Sequence, residues 1–240
     1  MNIVHKYLRN NKIFPHLWCP GCGNGIILGA VIRAIDKLQL DKNEVVIVSG
    51  IGCSGRSSTY VDFHTVHTPH GRALTFATGI KLGSMINKDD LKVIVLMGDG
   101  DALSMGGNHF IHACRRAVDI TAVVFNNSVY GMTGGQKSPT SSVSKEINKR
   151  WEEFEKPLSV VDIAIASGAE YVARGDVYHA VISEKLIREG ISFPGFAVIE
   201  MLSTCPTHMK KNPVDMLNEL KESTTTDKNS NDKIVIGRIK

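Results

Sequence analysis

Two apolar runs organise the chain. Residues 91–97 (LKVIVLM) are almost uniformly apolar and rich in β-branched side chains, and they stop at Gly98-Asp99-Gly100-Asp101. Residues 120–125 (ITAVVF) repeat the pattern and stop at Asn126-Asn127. A run that is apolar on both faces is what a buried parallel strand needs. A parallel pair requires a crossover, and the helix-length segment 104–118 supplies one, expected to be right-handed. The same pattern predicts core strands at 44–52 and 195–204 and a short strand at 171–174. Helices are predicted at 25–38, 73–86, 160–168, 177–189 and 213–221. Residues 1–17 read as an irregular arm, and 137–156 as a polar loop. The stretch 54–73 is also loop-like, with Pro69 and Gly71 interrupting any continuous helix. Strands alternating with helices predict an α/β fold with a doubly wound, mainly parallel sheet flanked by helices. Residues 1–222 form one domain on this reading. The polar TTTDKNSND reads as a mobile linker, so 223–240 is linker plus tail. KIVIGRIK then ends the chain as an edge strand or as a segment that docks on a partner.

With 240 residues the chain can bury a full core as one domain, and 42% hydrophobic and 22% charged residues are ordinary for a soluble globular protein. The net charge of +4 fits a solvated surface and also a mild field toward an acidic partner. No apolar run is long enough for a transmembrane helix, and the first residues lack the apolar core of a secretion signal. An odd count of five cysteines in an α/β pattern points to a reducing cytoplasm. There is no basic–aromatic patch of the kind nucleic acid requires, so neither nucleic acid nor membrane is an expected partner.

The chemistry gathers at strand ends. Asp99 and Asn127 lie just beyond the carboxyl ends of two parallel strands, whose tips are about 5 Å apart if they are neighbours. Ligands of open α/β sheets bind at that edge. Both side chains offer the hard oxygens that Mg²⁺ takes alongside phosphate, and the adjoining glycines let backbone N–H groups approach an anion. A plain strand-to-helix turn is the other reading of the same residues. Cys19 and Cys22 form a Cys-x-x-Cys pair without the preceding strand of a thioredoxin-type motif. Cys53 and Cys205 each follow an apolar strand, so the four converge if the strands share a sheet. Such a Cys₄ site suits zinc or an iron–sulfur cluster alike. Cys114, inside the crossover helix, is a small packed side chain. His64, His67 and His70 recur every third residue; an oxygen-rich Mg²⁺ site does not favour imidazole, so loop hydrogen-bonding is the simpler role. The Arg56 guanidinium matches a carboxylate, or a surface salt bridge.

The segments GDGDALSMGGNHFIHACRR and FNNSVYGMTGGQKSPT, with CPGCG, GIGCSG and TCPTH, closely resemble the β subunit of 2-oxoacid:ferredoxin oxidoreductases, from about Trp18 to Pro206. The resemblance implies a thiamine-diphosphate-binding fold of the diphosphate-binding type. It implies Mg²⁺ held by Asp99, Asn127 and the Val129 carbonyl. The cofactor pocket would comprise Ile51, Gly52, Cys53, Gly98, Gly100, Asp101, Gly131, Met132 and Thr133 besides. It also implies a [4Fe–4S] cluster on Cys19, Cys22, Cys53 and Cys205. Arg56 matches the position that recognises substrate, where pyruvate-type relatives tend to carry Lys, and His70 is a candidate substrate or cofactor contact. The implied reaction joins a 2-oxoacid, coenzyme A and oxidised ferredoxin to give acyl-CoA, CO₂ and reduced ferredoxin, with 2-oxoglutarate the favoured substrate. Pyruvate or broad 2-oxoacid use remains an alternative, as does a non-catalytic, zinc-stabilised binding module. The Glu that activates the aminopyrimidine belongs to a pyrimidine-binding domain that this chain has no room for. An α subunit is therefore expected to supply it, with γ and δ subunits as possible further members.

Overall fold

The computed structural model describes residues 3–10, 16–141 and 156–240; most of the predicted loop at 137–156 and part of the N-terminal arm lie outside them. In chain order the first half comprises α1 (Ile3–Lys6), α2 (Asn24–Lys37), β1 (Val45–Ser49), α3 (Ser57–Tyr60), β2 (His64–His67), α4 (Ala73–Asn87), β3 (Lys92–Gly98), α5 (Gly107–Arg116) and β4 (Ile120–Asn126). The second half comprises β5 (Val129–Tyr130), β6 (Gln136–Lys137), α6 (Val160–Ala166), β7 (Tyr171–Asp176), α7 (Ala180–Ser192), β8 (Phe196–Leu202), α8 (Pro206–Met209), α9 (Pro213–Ser223), β9 (Thr224–Thr225), β10 (Ile234–Val235) and β11 (Gly237–Arg238).

Seven strands form one sheet in the order β11-β7-β8-β4-β3-β1-β2. All its pairings are parallel except β11 on β7. Side chains alternate across each strand, so every core strand feeds two apolar layers. Val45, Ile47, Leu96, Phe125 and Ile199 face the layer covered by α2 and α7. Val46, Val48, Val95, Met97, Val124 and Val198 face the layer covered by α4, α5 and α6. This is why β3 and β4 read as unbroken apolar runs: neither face meets water. Burying each such Val, Ile or Leu contributes about 1.5–3 kcal/mol.

Three features differ from the sequence-based expectation, and a fourth decides between two options it leaves open. First, the polar 54–73 stretch contains β2, a parallel edge strand on β1. Its ends are exposed histidines, so it carries no apolar run to betray it. Second, helix α5 begins only at Gly107, because a π-helical turn spans Asp101–Met105 first. Such turns recur at functional sites. Third, α7 starts three residues late. Asp176 accepts a hydrogen bond from the His179 N–H at 2.6 Å and holds Val177–His179 as a cap turn. Fourth, the C-terminal tail runs as the edge strand: Gly237 and Arg238 pair antiparallel with Arg174 and Ala173, and Ile236 is buried. The polar segment before it is closed at its base by pairing of β9 with β10.

Candidate functional site

Strand register fixes the floor of the site. Gly98 pairs with Phe125 and Asn126 with Leu202, so Asp99, Asn127 and Ser203 leave neighbouring strands side by side. Two cavities open above this edge. One, of about 100 Å³, is lined by every residue expected of the cofactor pocket: Ile51, Gly52, Cys53, Gly98, Asp99, Gly100, Asp101, Asn127, Val129, Gly131, Met132 and Thr133, together with His70. The other, of about 180 Å³, is lined by Cys19, Cys22, Cys53 and Cys205 with Arg56. Cys53, Asn127, Gly131 and Met132 belong to both walls.

Asp99 is 2% exposed. Its Oδ2 accepts from the Thr140 hydroxyl at 2.7 Å and from the Ser138 hydroxyl. Burial pushes its carboxyl above the usual range, against those hydrogen bonds. The two asparagines of the pair divide their work. Asn126 turns into the fold, donating from Nδ2 to Glu200 Oε1 at 2.7 Å, while Asn127 faces the cavity and accepts from the Val129 N–H at 3.2 Å. Ser128, between Asn127 and Val129, takes the left-handed conformation (φ 58°). The chain thereby turns into the β5–β6 hairpin, whose tip Gly131–Thr133 roofs the cavity. Gly100 is required by close approach: a Cβ there would lie 2.3 Å from the Tyr130 ring.

Asp101 is equally buried and fastens the loop after β2. Its Oδ1 accepts from the Gly71 N–H at 2.6 Å and is hydrogen-bonded to His70 Nδ1. Desolvation again dominates and raises its carboxyl pKa, against the Gly71, His70 and Ile51 groups that lower it. His70 stands edge-on to Tyr130, with ring centroids 6.4 Å apart. Of the three periodic histidines it alone lines the cofactor cavity; His64 and His67 are on β2.

The four cysteines come from three places: the segment before α2, the turn after β1 and the turn after β8. Cys19 is exposed, Cys22 and Cys53 are half-buried, and Cys205 is buried. Burial raises the Cys22 thiol to about 11, with Cys205, Cys53 and Cys19 adding to the rise. Cys53 and Cys205 are raised for the same first reason. Among the described residues no three His, Cys, Asp or Glu side chains are gathered as one metal ion would hold them. Cys114 lies apart, buried in the α5 layer. Arg56 is in the wall of the cysteine cavity, where its Nη1 donates to the Leu17 carbonyl at 3.0 Å.

Several site residues have a role that the sequence does not assign. Trp18 donates from Nε1 to the Cys53 carbonyl at 2.7 Å and ties the Cys-x-x-Cys segment to the turn after β1. His208 donates from Nε2 to the Gly131 carbonyl at 2.8 Å and joins α8 to the hairpin tip. Gly135 leaves it room, since a Cβ would lie 2.2 Å from His208 Nδ1. Asn24, in the first turn of α2, presents a buried Oδ1 with no hydrogen-bond partner at the cofactor cavity. A motif search passes over it because it belongs to none of the quoted segments.

Among the described residues no helix is long and apolar enough to cross a membrane. The family "Thiamine pyrophosphate enzyme, C-terminal TPP binding domain" matches residues 50–201, which span both strand ends and the hairpin. The chain is 52% identical to the 2-oxoglutarate synthase subunit KorB of Archaeoglobus fulgidus, over 90% of this chain and 79% of that protein. It is 41% identical to the KorB subunit of Methanocaldococcus jannaschii, over 99% of this chain and 91% of that protein. Among solved structures, 2-oxoglutarate:ferredoxin oxidoreductase from Magnetococcus marinus, with 2-oxoglutarate, coenzyme A and succinyl-CoA bound, superposes with a TM-score of 0.85. That match is at 32% identity and covers 98% of this chain and 83% of that one. The mainly parallel sheet, the thiamine-diphosphate domain and these relatives agree: the chain belongs to the family of 2-oxoacid:ferredoxin oxidoreductase β subunits and is one subunit of an oxidoreductase.

Proposed function

We propose that this chain holds Mg²⁺–thiamine diphosphate and a [4Fe–4S] cluster in a cytoplasmic 2-oxoglutarate:ferredoxin oxidoreductase. The observation that carries the reading is the shared wall: Cys53, Asn127, Gly131 and Met132 line the oxygen-rich cavity and the four-cysteine cavity at once. The residues fit both groups. Asp99, Asn127 and the Val129 carbonyl are the hard donors that Mg²⁺ prefers, and Asn24 leaves an unpaired buried oxygen beside them. Four thiols around one space suit a cluster, whose ligands sit on separate irons and stand farther apart than those of a single zinc ion. When bound, thiamine diphosphate supplies the carbanion stabilisation that 2-oxoacid decarboxylation needs, and the cluster accepts single electrons.

The rest is the chain's own work. Asp99 and Asn127 would hold Mg²⁺, and Ser138 and Thr140 fix the Asp99 carboxyl for that role. Gly98 and Gly100 leave the backbone bare where a phosphate must approach. The β5–β6 hairpin roofs the site and sheds water from it. His70, clamped by Asp101, contacts cofactor or substrate at the cavity edge. Arg56 offers the remaining donors of its guanidinium to a substrate carboxylate, and a second carboxylate is what sets 2-oxoglutarate apart from pyruvate. The aminopyrimidine-activating Glu comes from an α subunit docked over the site, so the chain is inactive alone. The overall balance is one 2-oxoacid, one coenzyme A and two oxidised ferredoxins to one acyl-CoA, one CO₂, two reduced ferredoxins and one proton.

The test is anaerobic purification with the α subunit, followed by iron, sulfide, magnesium and thiamine diphosphate analysis and coenzyme A-dependent ferredoxin reduction. Four irons and one thiamine diphosphate per chain are expected, with 2-oxoglutarate turned over faster than pyruvate. A colourless protein containing one zinc, or full activity of the chain without its partner, would refute the reading.

A further inference from the structure

The exposed side of the cysteine cavity is built differently from the rest of the site. Cys19 is the exposed member of the four cysteines, so any electron leaving the cavity has its shortest route to solvent there. Two residues before it, Leu17 is 73% exposed. That exposure is imposed by a fixed backbone: the Leu17 N–H donates to the Tyr60 hydroxyl at 2.8 Å, and the Leu17 carbonyl accepts from Arg56 Nη1. The turn after Cys205 adds Met209 (41% exposed) and leads into α9 with Val214 (63% exposed). Pro213 packs on the Cys-x-x-Cys turn, where a Cβ at Gly21 would lie 2.3 Å from it, so Val214 belongs to the same face. Apolar side chains of this size around an exposed redox-candidate thiol mark a docking surface.

Charge identifies the occupant. Lys210, five residues after Cys205, has no carboxylate partner in any ion pair of the described residues, whereas Lys211 is neutralised by Glu219 at 2.6 Å. Asp215 lies in the first turn of α9, where its charge meets the helix N-terminus. The surface is therefore a small apolar patch with a positive rim, on a chain of net charge +4. It complements a small, acidic, one-electron carrier, whose encounter such a rim accelerates.

We propose that Leu17, Met209 and Val214, rimmed by Lys210, form the docking face for an acidic iron–sulfur electron carrier of the ferredoxin class, which meets the cluster at its Cys19 corner. This rests on the functional reading above. Each docking passes one electron from the reduced cluster, which is thereby reoxidised, to one oxidised carrier; two dockings clear one substrate oxidation.

The test uses the α/β complex with Val214→Ser and, separately, Lys210→Glu, both outside the two cavities. Ferredoxin reduction and methyl viologen reduction are measured side by side, and ferredoxin binding to the resting complex is followed by calorimetry as a function of salt. Each variant is expected to raise the KM for ferredoxin and weaken its binding about tenfold. Methyl viologen turnover and visible cluster absorbance should stay unchanged. Lys210→Glu should also flatten the salt dependence. Unchanged ferredoxin KM and binding would overturn the docking face, as would an equal loss with both acceptors. Dissociation of the α subunit by either variant would assign the face to the partner subunit instead and likewise overturn it. A wild-type complex that reduces neither acceptor would refute the functional reading itself, a result that these variants cannot mimic.

Discussion

Gly50 offers the sharpest test of how the site is held. It directly follows β1, and a Cβ there would lie 1.6 Å from Asp101 Oδ2 and 2.5 Å from its Cγ. No rotamer change at residue 50 relieves an overlap at Cβ, so Gly50→Ala must push the Asp101 carboxyl away. That carboxyl is 2% exposed and takes hydrogen bonds from Gly71 and His70. Losing hydrogen bonds to a buried acidic group costs about 1.5–3 kcal/mol each, and overpacking adds about 1–3 kcal/mol. The variant should therefore lose about 4 kcal/mol or more, a fall in Tm of about 8–16 °C for a domain of this size. Gly79→Ala is the matched control. It sits inside α4, and an added Cβ meets nothing within 4 Å. It should gain about 0.5–1 kcal/mol from reduced backbone freedom. Urea denaturation of the purified chain, followed by circular dichroism, measures both. A Gly50→Ala variant within about 1 kcal/mol of wild type would show that Asp101 is not fixed as described, and the clamp on His70 would fall with it.

Other predictions concern the metals and the titrating groups. Serine at Cys19, Cys22, Cys53 or Cys205 should remove most iron from the anaerobically purified complex, whereas Cys114→Ala should keep it and lose only about 1 kcal/mol of stability; equal iron in all five would contradict the four-cysteine assignment. In the metal-free chain, the Cys22 thiol, raised to about 11, is only about 0.1% thiolate at pH 8. Its alkylation should speed up about tenfold per pH unit up to pH 10, and a plateau below pH 9 would disprove the burial argument. Asp99→Ala should abolish Mg²⁺-dependent thiamine diphosphate binding, measured by fluorescence titration. Because burial raises the Asp99 pKa, its neutral form stabilises the metal-free fold. That contribution is complete below the ordinary value of about 3.9 and is lost as pH rises through the folded value. Asp99→Asn should therefore show a smaller loss of stability between pH 4 and 7 than wild type, and an equal loss would count against the sign.

Parts of the fold whose signal is local are legible in the chain alone. β3 and β4 are apolar on both faces because both faces are covered. Their ends at Asp99 and Asn127 follow from where the apolar letters stop, and the parallel crossover puts both ends on one edge. The three segments that carry the four cysteines are likewise plain in the sequence. Everything that depends on packing between distant segments comes from the folded molecule instead. β2 has no signature in the sequence because an edge strand between exposed histidines needs only one neighbour's backbone and no apolar alternation. The tail left two options open, and only the free edge of β7 settled them in favour of β11. Asn24, Trp18, His208 and the Asp101 clamp on the His70 loop act through contacts tens of residues away in the chain. Local propensity cannot encode such contacts, because they exist only once the sheet has brought its strand ends together.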